Sequence, residues 1–258
     1  MTNVNKTLYI PLYGKALVSR RGILLSDKKA EEIWDASAFE LKGKSKSKWL
    51  AFYMAMRARV FDDWTKAQLE KAPDALVLHI GCGLDSRCKR VKTDAWWIDV
   101  DFPEVIGARR AHYRETAKYR MRPGDLRDPA FLNALPQAKT AIVVMEGVSM
   151  YVKQESLTAF FSALADRFSA VKLLTDCYSS FAAKASRYKN PVNDVGVTEV
   201  HGIDDPNCLS GALVFKKEHE MTPPALIDEL KGAERLIFKN LYAGGVAKKM
   251  YRLYEYEK

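Results

Sequence analysis

The chain has 258 residues, of which 48% are hydrophobic and 28% are charged, and its formal net charge is +9 at pH 7. This length suits one large α/β domain, and no stretch approaches the roughly 20 apolar residues that a membrane span requires. The composition therefore argues against an integral membrane protein, and the positive charge raises the question of an anionic partner such as RNA.

Residues 1–70 predict a helical segment that caps the open end of a later sheet. It has no long apolar core with a small-residue cleavage site, and the four cysteines form no CxxC pair, so we expect a cytoplasmic protein with reduced thiols. Alternate residues within it are basic, namely Lys42, Lys44, Lys46 and Lys48. Such a run suits an RNA contact or a solvated loop. The loop is favoured because no aromatic platform for single-stranded RNA accompanies it.

Short apolar runs at 75–80, 95–100, 140–145 and 170–176 predict buried strands. Helix-like segments lie between them at 103–117 and 154–168. Continuous apolar strands that alternate with helices predict an α/β fold with a doubly wound, mostly parallel sheet. We expect residues 1–258 to form a single domain, with residues 71–176 as its ligand-binding core.

The remainder of the chain predicts a lid and a sheet edge. Residues 177–217 are rich in Asn, Asp and Gly, and a loop of that length inside a domain is usually functional. Residues 218–258 predict a helix followed by an antiparallel hairpin, in which "ERLIFKNLY" and "KKMYRLYEYEK" flank the turn "AGGVA".

The first apolar strand ends in a turn formed by Gly81, Cys82 and Gly83, which indicates a ligand close to the backbone. The turn lacks the lysine of a P-loop. A dinucleotide site requires a third glycine, but Ser86 occupies that position, and Asp85 would lie beside the pyrophosphate. S-adenosylmethionine carries a sulfonium and an ammonium and has no phosphate, so it fits this turn better.

Acidic residues follow the later strands of the predicted sheet. Asp101 lies eighteen residues after Gly83, near the spacing of a ribose-binding acid, and Asp125 and Glu146 end the next two strand positions. The carboxyl ends of parallel strands meet at one edge, so these side chains should converge there. Asp101 could alternatively cap the helix that begins near Pro103. The spacing favours the ribose role.

Four segments in this order resemble the core motifs of the leucine carboxyl methyltransferase family, in its bacterial branch of polyketide-type O-methyltransferases. They are "LHIGCGLDSR", "WIDVDFPEVI", "GDLRD" and "VMEGVSMYV". The resemblance covers roughly residues 8–176 and implies a Rossmann-like methyltransferase that converts S-adenosylmethionine to S-adenosylhomocysteine. Lys15 stands where this branch would carry arginine, and the chain after residue 177 departs from the branch.

The resemblance also implies roles for individual residues. The cofactor's carboxylate would pair with Arg57, its methionine part would lie on the turn at 81–85, its ribose would bind Asp101, and its adenine would contact Asp125 and Leu126. Glu146 would lie near the amino group and the acceptor entrance, which makes it a candidate catalytic residue. The predicted cofactor-binding set is therefore Arg57, Gly81, Cys82, Gly83, Asp85, Asp101, Asp125, Leu126 and Glu146.

Acceptor binding is expected at the predicted lid and its surroundings. Aromatic and cationic side chains in or near the predicted lid are the candidate acceptor-binding residues, namely Tyr151, Tyr178, Arg187, Tyr188 and His201. His201 could also act as a general base, although a surface histidine is the plainer explanation. Its spacing from Asp204 and Asp205 is not typical of a metal site, and we expect no metal.

By family resemblance we expect O-methylation of a small molecule, most simply at a carboxylate, which is ionised at neutral pH and needs no base. A hydroxyl acceptor would need a base that the sequence does not clearly supply. RNA methylation and an inactive cofactor-binding sensor or scaffold are the alternatives. A nicotinamide dehydrogenase is disfavoured because Ser86 replaces the third glycine and Asp85 would lie beside the pyrophosphate. We expect a monomer or homodimer with no nucleic-acid or membrane partner.

Overall fold

The apolar strands assemble into one seven-stranded sheet. The computed structural model describes residues 7–186 and 200–258, without the side chains of residues 246–248. The strands are β1 (Leu76–Ile80), β2 (Trp97–Asp101), β3 (Tyr119–Pro123), β4 (Thr140–Met145), β5 (Ala170–Tyr178), β6 (Val214–His219) and β7 (Tyr251–Glu257).

The sheet has the order β3-β2-β1-β4-β5-β7-β6. Strands β1 to β5 pair in parallel, whereas β7 pairs antiparallel with both β5 and β6. The predicted doubly wound, mostly parallel sheet with antiparallel C-terminal strands is confirmed. Its strand order reverses between β1 and β4, which is where open α/β sheets bind ligands.

The predicted N-terminal helices are also present, as α1 (Tyr9–Arg20), α2 (Lys28–Ala36) and α3 (Lys48–Lys71). Helix α2 begins at Asp27, whose carboxylate accepts a hydrogen bond from the backbone N–H of Ala30 at 2.9 Å. The predicted lysine loop is partly ordered, because Gly43–Lys46 form a 3-10 turn and Lys48 starts α3. Among the described helices, none is both long and apolar enough to cross a membrane.

Alternate side chains of the strands pack into two separate cores, one on each face of the sheet. On one face Val77 and Val144 contribute to the core that includes Phe61 of α3. On the other face Leu78 and Val143 contribute to the core that includes helix 154–167. The further described helices are α4 (Arg87–Arg90), α5 (Pro103–Arg110), α6 (Gln154–Arg167), α7 (Ser180–Ser186), α8 (Pro224–Asp228), α9 (Gly232–Ile237) and α10 (Gly245–Met250).

One strand was predicted in the wrong place. Residues 234–242 are helical, with α9 continuing into a π-helix at Phe238–Tyr242. Phe238 is fully buried and its ring packs 6.2 Å from that of Phe52, which ties this segment to α3. The antiparallel partner of β7 is instead β6, which begins inside the segment predicted as a lid.

Candidate functional site

A cavity of about 1050 Å³ lies at the carboxyl ends of the parallel strands, beside the point where the strand order reverses. Its wall contains residues from β1 and β2, from the segment that follows β4, from α1 and α3, and from the C-terminal segment. The predicted site residues on this wall are Arg57, Gly81, Cys82, Gly83, Asp85, Asp101, Asp125, Leu126, Glu146, Tyr151 and Tyr178. The cavity thus gathers the sequence motifs into one place.

The backbone conformation of the turn at residues 81–83 requires glycine. Gly81 and Gly83 have φ angles of +65° and +51°, which side-chain-bearing residues rarely adopt. A Cβ atom at Gly81 would lie 2.3 Å from Cγ2 of Val148, so a larger residue would also clash with the segment after β4. The turn therefore presents bare backbone to the cavity.

Asp101 bridges this turn and the end of β2. Its carboxylate accepts hydrogen bonds from the backbone N–H groups of Gly83 at 2.7 Å and Phe102 at 2.8 Å. Helix α5 has Phe102 as its N-cap residue, and no side chain caps it, so Asp101 is not a helix cap. Burial raises the pKa of Asp101 to about 6, which is unusual for a carboxylate held by two N–H donors.

Arg57 is buried where three parts of the chain meet. Its Nε donates to Oε1 of Glu146 at 2.9 Å, and its Nη1 donates to Oδ2 of Asp176 at 2.9 Å and to the hydroxyl of Tyr251 at 2.5 Å. Tyr251 in turn donates to Asp176 at 2.6 Å, and Asp176 also accepts from the N–H of Gly147 at 2.7 Å. No hydrogen bond from Nη2 of Arg57 to a described residue is present.

Glu146 lies between two buried guanidinium groups. Its Oε1 accepts from Arg57, and its Oε2 accepts from Arg87, which also donates to Asp62 at 2.7 Å. Burial alone would raise the pKa of Glu146, but the charges of Arg57, Lys15 and Arg87 lower it to about 2. Glu146 is therefore a permanent anion that orders the centre of the cavity.

Asp85 connects the N-terminal helices to the glycine turn. It is paired with Lys15 of α1 at 2.9 Å and with Arg90 of α4 at 2.8 Å. Arg90 also contacts Asp27 and Asp62, so the ion pairs continue into α2 and α3. Lys15 stands where arginine was expected and lies buried on the cavity wall. This network fixes the helical cap against the glycine turn.

Asp125 and Leu126 form the wall at the end of β3. Leu126 is buried, and Asp125 pairs with Arg127 at 2.5 Å and accepts a hydrogen bond from the N–H of Arg127 at 2.9 Å. An apolar side chain beside a polar turn is suited to a flat heterocycle with polar edges.

Several predicted residues are not part of this wall. His201 is absent from the described lining, and its backbone N–H donates to the carbonyl of Met150 at 2.7 Å. Arg187 and Tyr188 lie outside the described residues. Asp204 accepts from the N–H of Ser180, and Asp205 accepts from that of Asn207, so both form local turns. The described residues contain no group of three or more acidic, His or Cys side chains that could hold a metal.

Sequence reasoning missed two groups of site residues. Asp176 and Tyr251 hold Arg57, while Trp49 and Tyr53 of α3 line the cavity. The spacing of Trp49, Tyr53 and Arg57 at intervals of four residues was visible as one helix face. The roles of Asp176 and Tyr251 depend on the antiparallel pairing of β5 with β7, which has no local sequence signal.

Comparisons with known proteins agree with this geometry. Residues 3–165 match the family model for leucine carboxyl methyltransferase. The chain is 28% identical over 248 residues to the tetracenomycin polyketide synthesis O-methyltransferase TcmP of Streptomyces glaucescens, covering 92% of this chain and 90% of that one. It is 29% identical over 182 residues to the S-adenosyl-L-methionine-dependent methyltransferase dpfgK of Gibberella zeae, covering 64% and 61% of the two chains.

The fold also matches a solved methyltransferase. The structure of magnesium protoporphyrin IX methyltransferase from Synechocystis PCC 6803, with bound S-adenosylhomocysteine, aligns with a TM-score of 0.53 at 12% identity, covering 90% of this chain and 93% of that one. The sheet, the glycine turn and these matches define an S-adenosylmethionine-dependent methyltransferase with a Rossmann-like fold. Within that class, the chain belongs to the leucine carboxyl methyltransferase family, whose model matches residues 3–165.

Proposed function

We propose that this methyltransferase acts in the cytoplasm and transfers the methyl group to a carboxylate oxygen of a small molecule. The family name and the Streptomyces relative support an oxygen acceptor on a small molecule. The observation that carries the proposal is the state of the titratable groups. Among the described cavity residues, those near the centre offer cations and hydrogen-bond donors but no uncommitted base.

His79 illustrates this point because histidine is the commonest general base. It lines the cavity, but Nη1 of Arg87 contacts its Nε2 at 3.1 Å and Asp99 contacts its Nδ1 at 3.2 Å. Arginine can only donate, so Nε2 must accept and Nδ1 must carry the proton. Burial also lowers the pKa of His79, which keeps it neutral with its lone pair occupied.

The carboxylates are committed in the same way. Glu146 and Asp85 are held by buried cations, and Asp125 pairs with Arg127. Asp101 has a pKa of about 6, but its carboxylate accepts from the N–H of Gly83 at the glycine turn, where we assign it to the ribose hydroxyls. An acceptor that arrives ionised needs none of these groups as a base.

Phenol groups provide donors near Arg57. Burial raises the pKa of Tyr151 far above the ordinary value for tyrosine, so its hydroxyl stays protonated. A protonated phenol donates to a carboxylate oxygen and leaves the second oxygen of that group available as the nucleophile. Tyr151 and Tyr178, which the sequence predicts as acceptor contacts, lie on this part of the wall.

The cofactor arrangement follows from the same wall. Asp125 and Leu126 would hold the adenine, Asp101 the ribose, and the glycine turn the methionine part, whose carboxylate would meet Arg57 and whose amino group would meet Glu146. When bound, S-adenosylmethionine supplies a methyl group on a positively charged sulfur. The protein's residues would act by holding the acceptor oxygen in line with that methyl group and by excluding water. Arg187, Tyr188 and His201 stay predictions as acceptor contacts.

The test is methyl transfer from S-adenosylmethionine with a tritiated methyl group to a panel of aromatic carboxylic acids, phenols and alcohols. A carboxyl methyl ester releases tritiated methanol on mild alkaline treatment, whereas a methyl ether does not. We expect alkali-labile product from the acids and none from their carboxamides. Alkali-stable product from phenols alone would replace carboxylate methylation with hydroxyl methylation.

A further inference from the structure

The cavity has a second compartment behind a tyrosine wall. A smaller cavity of about 250 Å³ is lined by Glu218, His219, Glu220, Met221 and Thr222, at and after the end of β6. Tyr53 and Tyr251 line both this cavity and the main one. Tyr53 and Tyr251 therefore lie between the two cavities.

The two tyrosines are held differently. Tyr251 is fixed by hydrogen bonds with Arg57 and Asp176, at 2.5 and 2.6 Å. Tyr53 projects from α3 and meets the ring of Tyr251 edge-on, with centroids 6.3 Å apart and an interplanar angle of 82°. Removing the Tyr251 side chain would disrupt the Arg57 site, whereas removing the ring of Tyr53 would leave those bonds in place.

Helix α3 gives the acceptor region a direction. Arg57, Tyr53 and Trp49 follow one another at four-residue intervals, so they lie on one helix face about 12 Å long. All three line the cavity. At the outer end the ring of Trp49 stacks on that of Tyr242, with centroids 5.1 Å apart and an angle of 15°. Tyr53 is thus midway between the buried guanidinium and the aromatic pair.

We propose that Tyr53 determines the size of acceptor that the enzyme accepts, by closing the acceptor region off from the compartment at Met221 and Thr222. This inference rests on the proposed function in one respect, because the acids used to test it are chosen as carboxylate acceptors. An acceptor whose acidic end meets Tyr151 and Tyr178 would have its body beside Tyr53. Shortening that side chain opens the second compartment to the acceptor.

The experiment measures equilibrium binding of phenylalkanoic acids of increasing chain length to the protein saturated with S-adenosylhomocysteine. We expect Tyr53→Ala to favour longer acids than the wild type, with a gain of about fourfold in affinity for each additional methylene group that becomes buried. Tyr53→Phe keeps the ring and should keep the wild-type length profile. Affinity for S-adenosylhomocysteine should be unchanged in both variants, which also shows that they fold.

A second variant tests whether the gain uses the compartment. Adding Thr222→Met to Tyr53→Ala refills that space and should restore the wild-type preference. An unchanged length profile in Tyr53→Ala, or no acid binding to any of these proteins, would overturn the inference. Because binding needs no turnover, acids that bind with the expected profile but are never methylated would contradict the proposed function and leave the role of Tyr53 supported.

Discussion

The pH dependence of cofactor binding should depend on Asp101. Its carboxylate accepts from Gly83 and Phe102, and burial raises its pKa to about 6 in the protein without cofactor. Ribose hydroxyls donate hydrogen bonds to the ionised form, so binding should lower this pKa. Affinity should therefore be complete above about pH 7 and should fall as the pH decreases through 6.

The size of the effect follows from that pKa. With a pKa of about 6 in the free protein, the ionised fraction at pH 5 is about one tenth of that at pH 7, so affinity should fall about tenfold. At pH 7, Asp101→Ala should weaken binding by about 1.5–3 kcal/mol, the range for hydrogen bonds to a charged group. Asp101→Asn keeps the shape and one oxygen acceptor but cannot titrate.

Titration calorimetry with S-adenosylhomocysteine from pH 5 to pH 8 measures both effects. The wild type should lose affinity toward pH 5, and Asp101→Asn should bind more weakly with a flatter profile. Parallel profiles for the two proteins would show that another group titrates. Unchanged affinity in a folded Asp101→Ala variant would refute the ribose role.

Three further predictions concern other parts of the cavity. Glu146→Gln leaves Arg57 and Arg87 without their shared counter-ion, so the free energy of unfolding measured in urea should fall by about 3–5 kcal/mol. The control Glu32→Gln removes an exposed pair with Lys29 and should change this free energy by less than about 1 kcal/mol. Equal losses in the two variants would contradict the central role of Glu146. Trp49→Leu breaks the stack on Tyr242 and should raise the KM for the acceptor about tenfold, with unchanged affinity for S-adenosylhomocysteine. The control Trp96→Leu lies outside the described cavity lining and should leave this KM unchanged. Equal KM values for the two variants would exclude Trp49 as an acceptor contact. The double variant Lys42→Gln, Lys46→Gln should methylate the acceptor as fast as the wild type does. An RNA substrate would be indicated if the wild type binds RNA tightly and in a salt-dependent way and the double variant does not.

The parallel strands β1, β2, β4 and β5 were predictable because each lies in a mostly apolar run, whereas β3, with the sequence "YRMRP", has no such run. Gly81, Asp101 and Glu146 follow such runs directly, so their placement at one sheet edge followed from topology alone. The segment 234–242 was wrongly predicted as a strand because its mixed apolar pattern suits either a strand or a helix. In the structure the segment is helical, and the ring of its Phe238 packs against that of Phe52 in α3.

The edge strand β6 was missed for the opposite reason. Its sequence "VFKKEH" is mostly charged and its side chains are largely exposed, as is usual for an edge strand that must not aggregate. It gives no apolar alternation that would mark it. The partition at Tyr53 and Tyr251 likewise joins residues almost 200 positions apart, and no local pattern brings them together.

In the proposed reaction the acceptor oxygen is already charged when it reaches the cavity, and no base of the enzyme removes a proton. The most direct test is kcat as a function of pH, measured with an aromatic carboxylic acid at saturating S-adenosylmethionine. We expect a constant kcat between about pH 6.5 and pH 9, because the carboxylate is ionised throughout and His79 stays neutral. A rise in kcat through a pKa between 7 and 8 that persists when acceptors of different acidity are compared would reveal a general base and contradict the claim.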